Sequence, residues 1–353
     1  MTTPEPASAD APFALPTDLP LLRMRISMRM LEDTTLPAFK GALLRGGFGY
    51  AFQRASCPQA CWNHSDQCAL KTICPYRQVF ETPHPPDVPH LHDLKDVPRP
   101  FVIEPPADTA THYAAGKMLE FQLVLIGQGI DALPYFFFGF EQLGRMGLGH
   151  QHARARLERV EALRPWQPTG PVVYQDGRVV FTVDDNPLPG MHPVLGSLPI
   201  YDAPTLLARA ATLPADLRLE LRTPLRVKAR GTLLEQIEPA ALVQALCWRL
   251  NALATFHGNG PWLVDHRALV AQAQTITVEQ EQVRWVDWER TSRRGGQSRS
   301  MKLGGIIGSA LLRSVPMEVR ALLLAGTLVH VGKACVFGHG ALEVLPGDEA
   351  FKR

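Results

Sequence analysis

The chain has 353 residues, of which 46% are hydrophobic and 20% charged, a composition typical of soluble globular proteins that excludes wholesale disorder. Its 36 Lys and Arg residues nearly balance 34 Asp and Glu residues, so any potential for binding nucleic acid must be concentrated in particular segments. No apolar run is long enough for a membrane span. Residues 1–20 are rich in Pro, Ala, Thr and Asp and predict a disordered lead-in rather than a secretory signal. We therefore expect a cytoplasmic protein of two domains that has no membrane partner.

The first half of the chain contains two predicted strand and helix units. Residues 22–30 alternate between basic and apolar side chains, which predicts a half-buried strand with a cationic face. Residues 36–54 have helical spacing of apolar residues but include four glycines, which indicates close approach of another backbone or a ligand. Residues 82–106 contain eight prolines and predict extended irregular chain. A strand at 118–126, a helix at 130–143 and a strand at 153–163 follow.

The second half repeats this order after a segment containing Pro and Gly at 184–214. Strands are predicted at 217–229, 282–288 and 341–345, and helices at 239–256 and 317–329. The repeated order is the split β-α-β pattern of ferredoxin-like domains. We therefore predict an α+β protein of two tandem ferredoxin-like domains, at residues 21–205 and 215–353. A cysteine-rich loop at 56–80 is inserted in the first, and the second contains a glycine-rich loop.

Four of the six cysteines fall within 18 residues and have a histidine, His64, among them. These four are Cys57, Cys61, Cys68 and Cys74. Tetrahedral zinc needs four nitrogen or sulfur ligands, and a metal ion would order a loop that has little apolar content. The cluster predicts one structural zinc ion held by the four thiols, with His64 able to replace one of them; reduced, unligated thiols are the alternative. Cys247 and Cys335 lie in apolar surroundings and are predicted to be core residues.

A glycine-rich loop follows His330 near the C-terminus. Its distinctive residues are Gly332, Lys333, Gly338, His339 and Gly340. Glycines allow positive φ angles that turn backbone N–H groups towards a phosphate, and a lysine adds positive charge. The spacing is not that of the nucleotide-binding GxxxxGK[ST] loop, so nucleotide hydrolysis is not expected. A helix C-terminus followed by a tight turn is the alternative interpretation.

Two segments of the second half are strongly basic. Residues 284–302 and residues 218–230 each have a net charge of +4, and the first segment includes Trp285 and Trp288. Guanidinium groups bind phosphates and aromatic rings stack on unpaired bases, so this mixture predicts a folded RNA as ligand. A solvated basic hairpin beside two core tryptophans is the alternative. The predicted RNA contacts are Arg290, Arg293, Arg294, Lys302, Gly332, Lys333, Gly338 and Gly340.

Several short motifs, taken in order, resemble one known family. In the second half they are Trp285-Val-Asp-Trp-Glu-Arg290, Met301-Lys-Leu-Gly-Gly305, His330-Val-Gly-Lys333 and Phe337-Gly-His-Gly340. In the first half they are Gly41-Ala-Leu-Leu-Arg-Gly-Gly-Phe-Gly49, Cys74-Pro-Tyr76, Leu125-Ile-Gly127 and Gly147-Leu-Gly149. From about residue 20 onwards the chain resembles the CRISPR precursor-RNA processing endoribonucleases, which are members of the RAMP superfamily.

The resemblance implies a protein that binds repeat RNA and cuts precursor CRISPR RNA once to release guide RNA. It implies cleavage without a catalytic metal, a 2′,3′-cyclic phosphate product, and subunits of a CRISPR effector complex as partners. Such a cut needs a base for the 2′-hydroxyl proton, an acid for the leaving 5′-oxygen and positive charge near the phosphorane.

Members of this family commonly take a histidine from the first helix, but residues 36–54 contain none. The catalytic candidates are therefore Lys40, Arg45 and Tyr50 of that helix and His330 and His339 of the loop. We expect Tyr50 or, in preference to it, His339 to transfer the proton, and Lys40 or Arg45 to stabilise the charge. His330, like His257, fits a structural role at a helix end. The missing histidine favours an alternative, a non-catalytic subunit that holds guide RNA in an effector complex. A zinc-stabilised module that binds protein partners is a third possibility.

Overall fold

The computed structural model describes residues 13–57, 67–84, 91, 94, 97–180, 198–294 and 297–348. From 289 to 294 and from 297 to 302 it describes the backbone alone. The described residues form two units: an N-terminal unit of 20–201 with 256–258, and a C-terminal unit of 202–255 and the residues from 259 onwards, with 13–19. The predicted domains, 21–205 and 215–353, differ from these units in the chain before residue 20 and around 202–214.

The N-terminal unit has one main antiparallel sheet packed against helices. Its strands are β1 (Leu21–Met30), β2 (Thr34–Thr35), β3 (Phe101–Glu104), β4 (His112–Tyr113), β5 (Met118–Ile126), β6 (Ala155–Ala162), β7 (Val172–Gln175) and β8 (Arg178–Val179). Its helices are α1 (Gly41–Ser56), α2 (Pro75–Phe80) and α3 (Leu133–Met146). The main sheet has the order β3-β5-β1-β6-β7-β8, and β2 pairs with β4 separately. Its first four strands have the order expected for a ferredoxin-like domain.

The central strand β1 is half-buried as its alternation predicts. Met24, Ile26 and Met28 are buried in the core. On the opposite face each arginine meets a carboxylate from β3 or β6, so this face is less cationic than the alternation of residues predicts. The pairs are Arg23 with Glu104 at 2.7 Å, Arg25 with Glu161 at 3.5 Å, and Arg29 with Glu158.

The glycines of α1 allow a second helix to approach. A Cβ added at Gly47 would lie 2.8 Å from Leu143 Cδ1 on α3, and one added at Gly139 of α3 would lie 2.8 Å from the Phe48 ring. Phe48 also stacks on Phe140, with ring centroids 4.3 Å apart. Helix α3 therefore packs closely on α1, and the atom nearest Gly47 belongs to a side chain of α3 rather than to the predicted backbone or ligand.

Strands β2, β4, β7 and β8 were not predicted, and three further elements of this unit differ from the sequence prediction. Strand β3 lies inside the proline-rich segment, where four buried residues between Pro100 and Pro105 pair with β5. Helix α1 begins at Gly41 and has Lys40 as its N-cap residue, so residues 36–40 of the predicted helix are not helical. Helix α2 begins at Pro75, a residue that suits a first helical position, within the range predicted as a cysteine-rich loop.

The C-terminal unit repeats the same strand order. Its helices are α4 (Ala203–Thr212), α5 (Pro239–His257), α6 (His266–Gln274) and α7 (Met317–Val329). Its strands are β9 (Leu217–Leu225), β10 (Lys228–Ala229), β11 (Thr232–Leu233), β12 (Thr277–Val286), β13 (Glu289–Arg294), β14 (Gln297–Lys302), β15 (Gly305–Arg313) and β16 (Leu342–Pro346). The main sheet has the order β12-β15-β9-β16, while β10 pairs with β11 and β13 with β14. The predicted α+β fold with a repeated strand–helix order is present in both units.

Strand β15 and helices α4 and α6 were not predicted. Glycines obscured β15, because Gly305 opens it and Gly308 has a φ of 129° beside the Gln282 carbonyl. The predicted disordered lead-in is also wrong for residues 13–19. Leu15 and Leu19 are buried, and Trp262 Nε1 donates a hydrogen bond to the Ala14 carbonyl at 2.8 Å. Residues 1–12 lie outside the described part of the chain.

Among the residues that the structure describes, no helix is both long and apolar enough to cross a bilayer.

Candidate functional site

The glycine-rich loop, residues 330–340, is held by hydrogen bonds to its own unit. The Lys333 N–H donates to the Arg226 carbonyl at 3.0 Å, and the Gly340 N–H donates to the Pro224 carbonyl at 3.1 Å. The Thr223 hydroxyl also bonds to the loop backbone. Two backbone donors that a phosphate cradle would use are therefore committed within the protein.

The loop glycines serve the close packing of this loop. Gly332, Gly338 and Gly340 have φ angles of 88°, 82° and 67°. A Cβ at Gly332 would lie 2.5 Å from the Arg226 carbonyl oxygen, and one at Gly340 would lie 1.9 Å from the Val331 carbonyl oxygen. Positive φ and close backbone contact both require glycine at these positions.

The two predicted loop histidines are completely buried. His330 is the C-cap of α7, and its imidazole Nδ1–H donates to the His339 carbonyl at 2.9 Å. The His339 ring lies 4.7 Å from the Trp288 ring. Burial lowers the pKa of His339 to about 4, and the charge of Arg226 acts in the same direction. The structure therefore gives His330 the structural helix-end role and leaves His339 neutral at pH 7.

Most of the basic segment of residues 284–302 belongs to a two-stranded hairpin of β13 and β14. Its register pairs Arg290 with Met301 and Arg294 with Gln297. The side chains of Arg290, Arg293, Arg294 and Lys302 lie outside the described residues. Of the two tryptophans near the hairpin, Trp285 is 39% exposed and donates to Asp287 at 2.9 Å, while Trp288 is half-buried. The alternative of two core tryptophans does not hold for Trp285.

The second basic segment is less cationic than its composition predicts. Arg222 contacts Glu220 at 3.0 Å and Glu343 at 3.4 Å, and Arg230 contacts Glu238 at 2.8 Å. Arg226 donates to the Gly304 carbonyl at 2.7 Å. Arg218 also donates a hydrogen bond to Gln280 Oε1 at 3.4 Å, so four of the five basic side chains of residues 218–230 have contacts within the unit, and Lys228 is exposed.

The three candidates of the first helix lie far apart along it. Lys40 is the N-cap, the Arg45 guanidinium lies 4.8 Å from the Phe80 ring centroid and 5.6 Å from that of Phe101, and Tyr50 is 59% exposed. A helix rises by about 1.5 Å per residue, so Lys40 and Tyr50 are separated by about 15 Å. They cannot reach the same phosphate together.

Lys40 is buried in a small group of charged and aromatic side chains. Its Nζ donates to the Ala38 carbonyl at 3.2 Å, lies 3.9 Å from Asp108 Oδ1 and lies 5.5 Å from the Tyr113 ring centroid. The ammonium of Lys117 lies 4.9 Å from the same centroid. Burial lowers the pKa of Lys40, and the positive charge of Lys117 lowers it further. Burial, assisted by Asp108, raises the pKa of Tyr113 to about 12.

The predicted zinc cluster lies only partly within the described residues. Cys57, Cys68 and Cys74 are half-buried, while Cys61 and His64 fall outside the described ranges. Among the residues that are described, no three His, Cys, Asp or Glu side chains are grouped to hold a metal ion. Zinc binding by the four cysteines stays a prediction. Cys247 and Cys335 are buried, as predicted.

Two family models match this chain. The model of the CRISPR-associated endoribonuclease Cas6 matches residues 219–342, and a model described as an N-terminal domain matches residues 19–186. Residues 219–342 of this chain thus match the Cas6 family. The two matched ranges fall on the two ferredoxin-like sheets described above. No curated protein matches the chain.

Solved Cas6 structures share this fold at low sequence identity. A partial Cas6-RT-Cas1–Cas2 complex matches with 15% identity and a TM-score of 0.53, over 94% of this chain and 47% of that chain. A Cas6-RT-Cas1–Cas2 complex gives the same identity and TM-score over 94% and 29%. A product complex of Thermus thermophilus Cas6 (TTHB231) matches with 15% identity and a TM-score of 0.54, over 92% of this chain and 100% of that chain. This chain therefore spans less than half of the first two proteins, and the likeness concerns the fold.

The structure groups residues that sequence reasoning missed. Asp108, Tyr113 and Lys117 surround Lys40, although they come from a segment without helical or strand periodicity. The β2–β4 ladder that holds Tyr113 has only two residue pairs, which is too short to give a pattern. One signal was available, because Gly116, with a φ of 86°, marks a turn immediately before β5.

Proposed function

We propose that this protein binds the repeat RNA of its own CRISPR locus and cuts it once without a catalytic metal. The observation that carries this proposal is the match of residues 219–342 to the endoribonuclease model, because that range contains both the basic hairpin and the glycine-rich loop. The proposed product has a 2′,3′-cyclic phosphate. The proposed partners are precursor CRISPR RNA and the subunits of a CRISPR complex.

Binding is assigned to the C-terminal unit. The hairpin β13–β14 contributes Arg290, Arg293, Arg294 and Lys302, whose positive charges suit the phosphates of a folded RNA. The exposed indole of Trp285 suits stacking on an unpaired base. Within the glycine-rich loop, the side chain of Lys333 is exposed and can add one phosphate contact. The glycines support this surface by allowing the loop to pack closely.

Cleavage requires the 2′-hydroxyl oxygen to attack the adjacent phosphorus. The hydroxyl proton passes to a base, the bond from phosphorus to the 5′-oxygen breaks, and that oxygen receives a proton from an acid. A buried imidazole with a pKa of about 4 is a weak base and is shielded from RNA, so we assign His339 and His330 to holding the loop. Lys40 contributes positive potential from a buried position, while Tyr50 and Arg45 lie further along α1 and suit contacts with flanking RNA.

The test is incubation of the purified protein with its locus repeat RNA in excess EDTA. The proposal predicts a single cut and tight binding that weakens steeply with salt, as phosphate contacts require. Cleavage that appears only when a divalent cation is added would contradict the metal-independent mechanism. An intact RNA, bound tightly, would instead support the non-catalytic subunit.

The non-catalytic subunit is the second candidate because α1 contains no histidine. Its prediction differs in one measurable way, because the protein should protect the repeat RNA and leave it uncut. The zinc-stabilised protein-interaction module predicts neither cleavage nor salt-sensitive RNA binding, so the same incubation separates all three.

A further inference from the structure

The described histidines of this protein differ in their exposure and in their surroundings. Among the histidines that the structure describes, His257, His330 and His339 are buried and His266 is partly buried. The exposed ones are His84, His112, His150 and His152. Proton transfer to and from RNA needs an exposed group, and histidine is the usual side chain because it exchanges protons near neutral pH.

His112 is exposed, and its backbone carbonyl accepts a hydrogen bond from a lysine ammonium. Lys117 Nζ donates to the His112 carbonyl at 3.4 Å and lies over the ring of the adjacent Tyr113. His112 is on β4, where it pairs with Thr35 of β2. This pairing brings it beside the segment that leads into α1 and Lys40. His84, by contrast, is hydrogen-bonded to the Leu91 carbonyl at 3.2 Å.

Several charged groups surround this strand. From the neighbouring segments they are Asp33, which accepts the Ala115 N–H at 2.7 Å, Lys40, Asp108 and Lys117. His150 and His152 flank Gln151, whose side-chain oxygen accepts the Thr34 hydroxyl at 2.8 Å. The positive charges of Lys40 and Lys117 balance the negative charges of Asp33 and Asp108, so this segment carries an exposed histidine together with two ammonium groups, one exposed and one buried.

We propose that His112 takes the 2′-hydroxyl proton of the RNA and that Lys117 gives a proton to the leaving 5′-oxygen. This inference rests on the proposed function. The new bond joins O2′ to phosphorus, and the broken bond joins phosphorus to O5′. The products are a 2′,3′-cyclic phosphate and a 5′-hydroxyl, with the proton balance restored through water. Positive charge from Lys117 and the buried Lys40 favours the phosphorane.

The experiment compares single-turnover cleavage of the locus repeat RNA by the wild type, His112→Ala, Lys117→Ala and the control His84→Ala. His112→Ala should slow cleavage by about 100-fold or more, with RNA affinity within about twofold of wild type. His84→Ala should cut at the wild-type rate. Thermal unfolding of each variant verifies the fold.

A substrate with sulfur in place of the bridging 5′-oxygen separates the two roles. Sulfur leaves without a proton, so this substrate should remove the defect of Lys117→Ala and leave that of His112→Ala in place. Wild-type cleavage with an equally fast His112→Ala would overturn the histidine assignment alone. A wild type that binds but never cuts would overturn both this inference and the proposed function.

Discussion

Substituting Gly340 by alanine tests why the loop contains glycine. At φ 67° an alanine costs about 1–2 kcal/mol, and its Cβ would lie 1.9 Å from the Val331 carbonyl oxygen. Because the opposing atoms belong to the backbone, the main chain must move to relieve the clash, at a cost of about 1–3 kcal/mol. The Gly340→Ala variant should therefore lose about 2–5 kcal/mol of unfolding free energy.

Gly231 provides a matched control. Its φ is 88°, and a Cβ there meets nothing within 4 Å, so Gly231→Ala should cost only about 1–2 kcal/mol from backbone strain. Urea denaturation followed by circular dichroism measures both variants. Equal losses in the two variants would refute the packing argument. A Gly340→Ala variant with full stability but weakened RNA binding would instead show that the glycine serves phosphate contact.

Three other outcomes are expected. Changing Arg290, Arg293 and Arg294 together to glutamate should weaken repeat-RNA binding by about 3 kcal/mol or more at low salt, whereas Arg178→Glu on the other unit should have little effect; unchanged affinity would remove the hairpin from the binding surface. Elemental analysis should find one zinc per chain, held by Cys57, Cys61, Cys68 and Cys74, and four freely titrating thiols without zinc would contradict this. Burial lowers the pKa of His339 to about 4, below the ordinary value of 6.5. The unfolded chain therefore binds the proton first, so the free energy of unfolding should fall by at most about 3 kcal/mol as the pH drops from about 6.5 to about 4. His339→Gln should reduce that slope in denaturation curves at pH 7 and pH 4.5, and an equal slope would contradict the burial argument.

The sequence predicted elements whose pattern is set by burial on one face. Strand β1 was found because its arginines and methionines alternate, and α5 and α7 because they are long and apolar. Strand β3 was missed because all four of its residues are buried and prolines bound it, so it shows no alternation. Strand β15 was missed because its glycines lower strand propensity, although they are needed for close contact with neighbouring strands.

The candidate site was less predictable because it depends on contacts distant in sequence. Burial of His339 follows from the packing of the loop against Pro224 and Trp288, which no local pattern reveals. The surroundings of Lys40 depend on a ladder of two residue pairs that joins segments almost 80 residues apart. The sequence was enough to select Lys40 as a candidate, but its neighbours could be identified only from the fold.

The most direct test of the central claim uses a repeat RNA with a single 2′-deoxynucleotide at the cleavage site, in EDTA. The account predicts that the unmodified RNA is cut once to a 2′,3′-cyclic phosphate and that the modified RNA is bound equally well but stays intact. Cleavage of the 2′-deoxy substrate at the same position would show that the 2′-hydroxyl is not the nucleophile and would contradict the account.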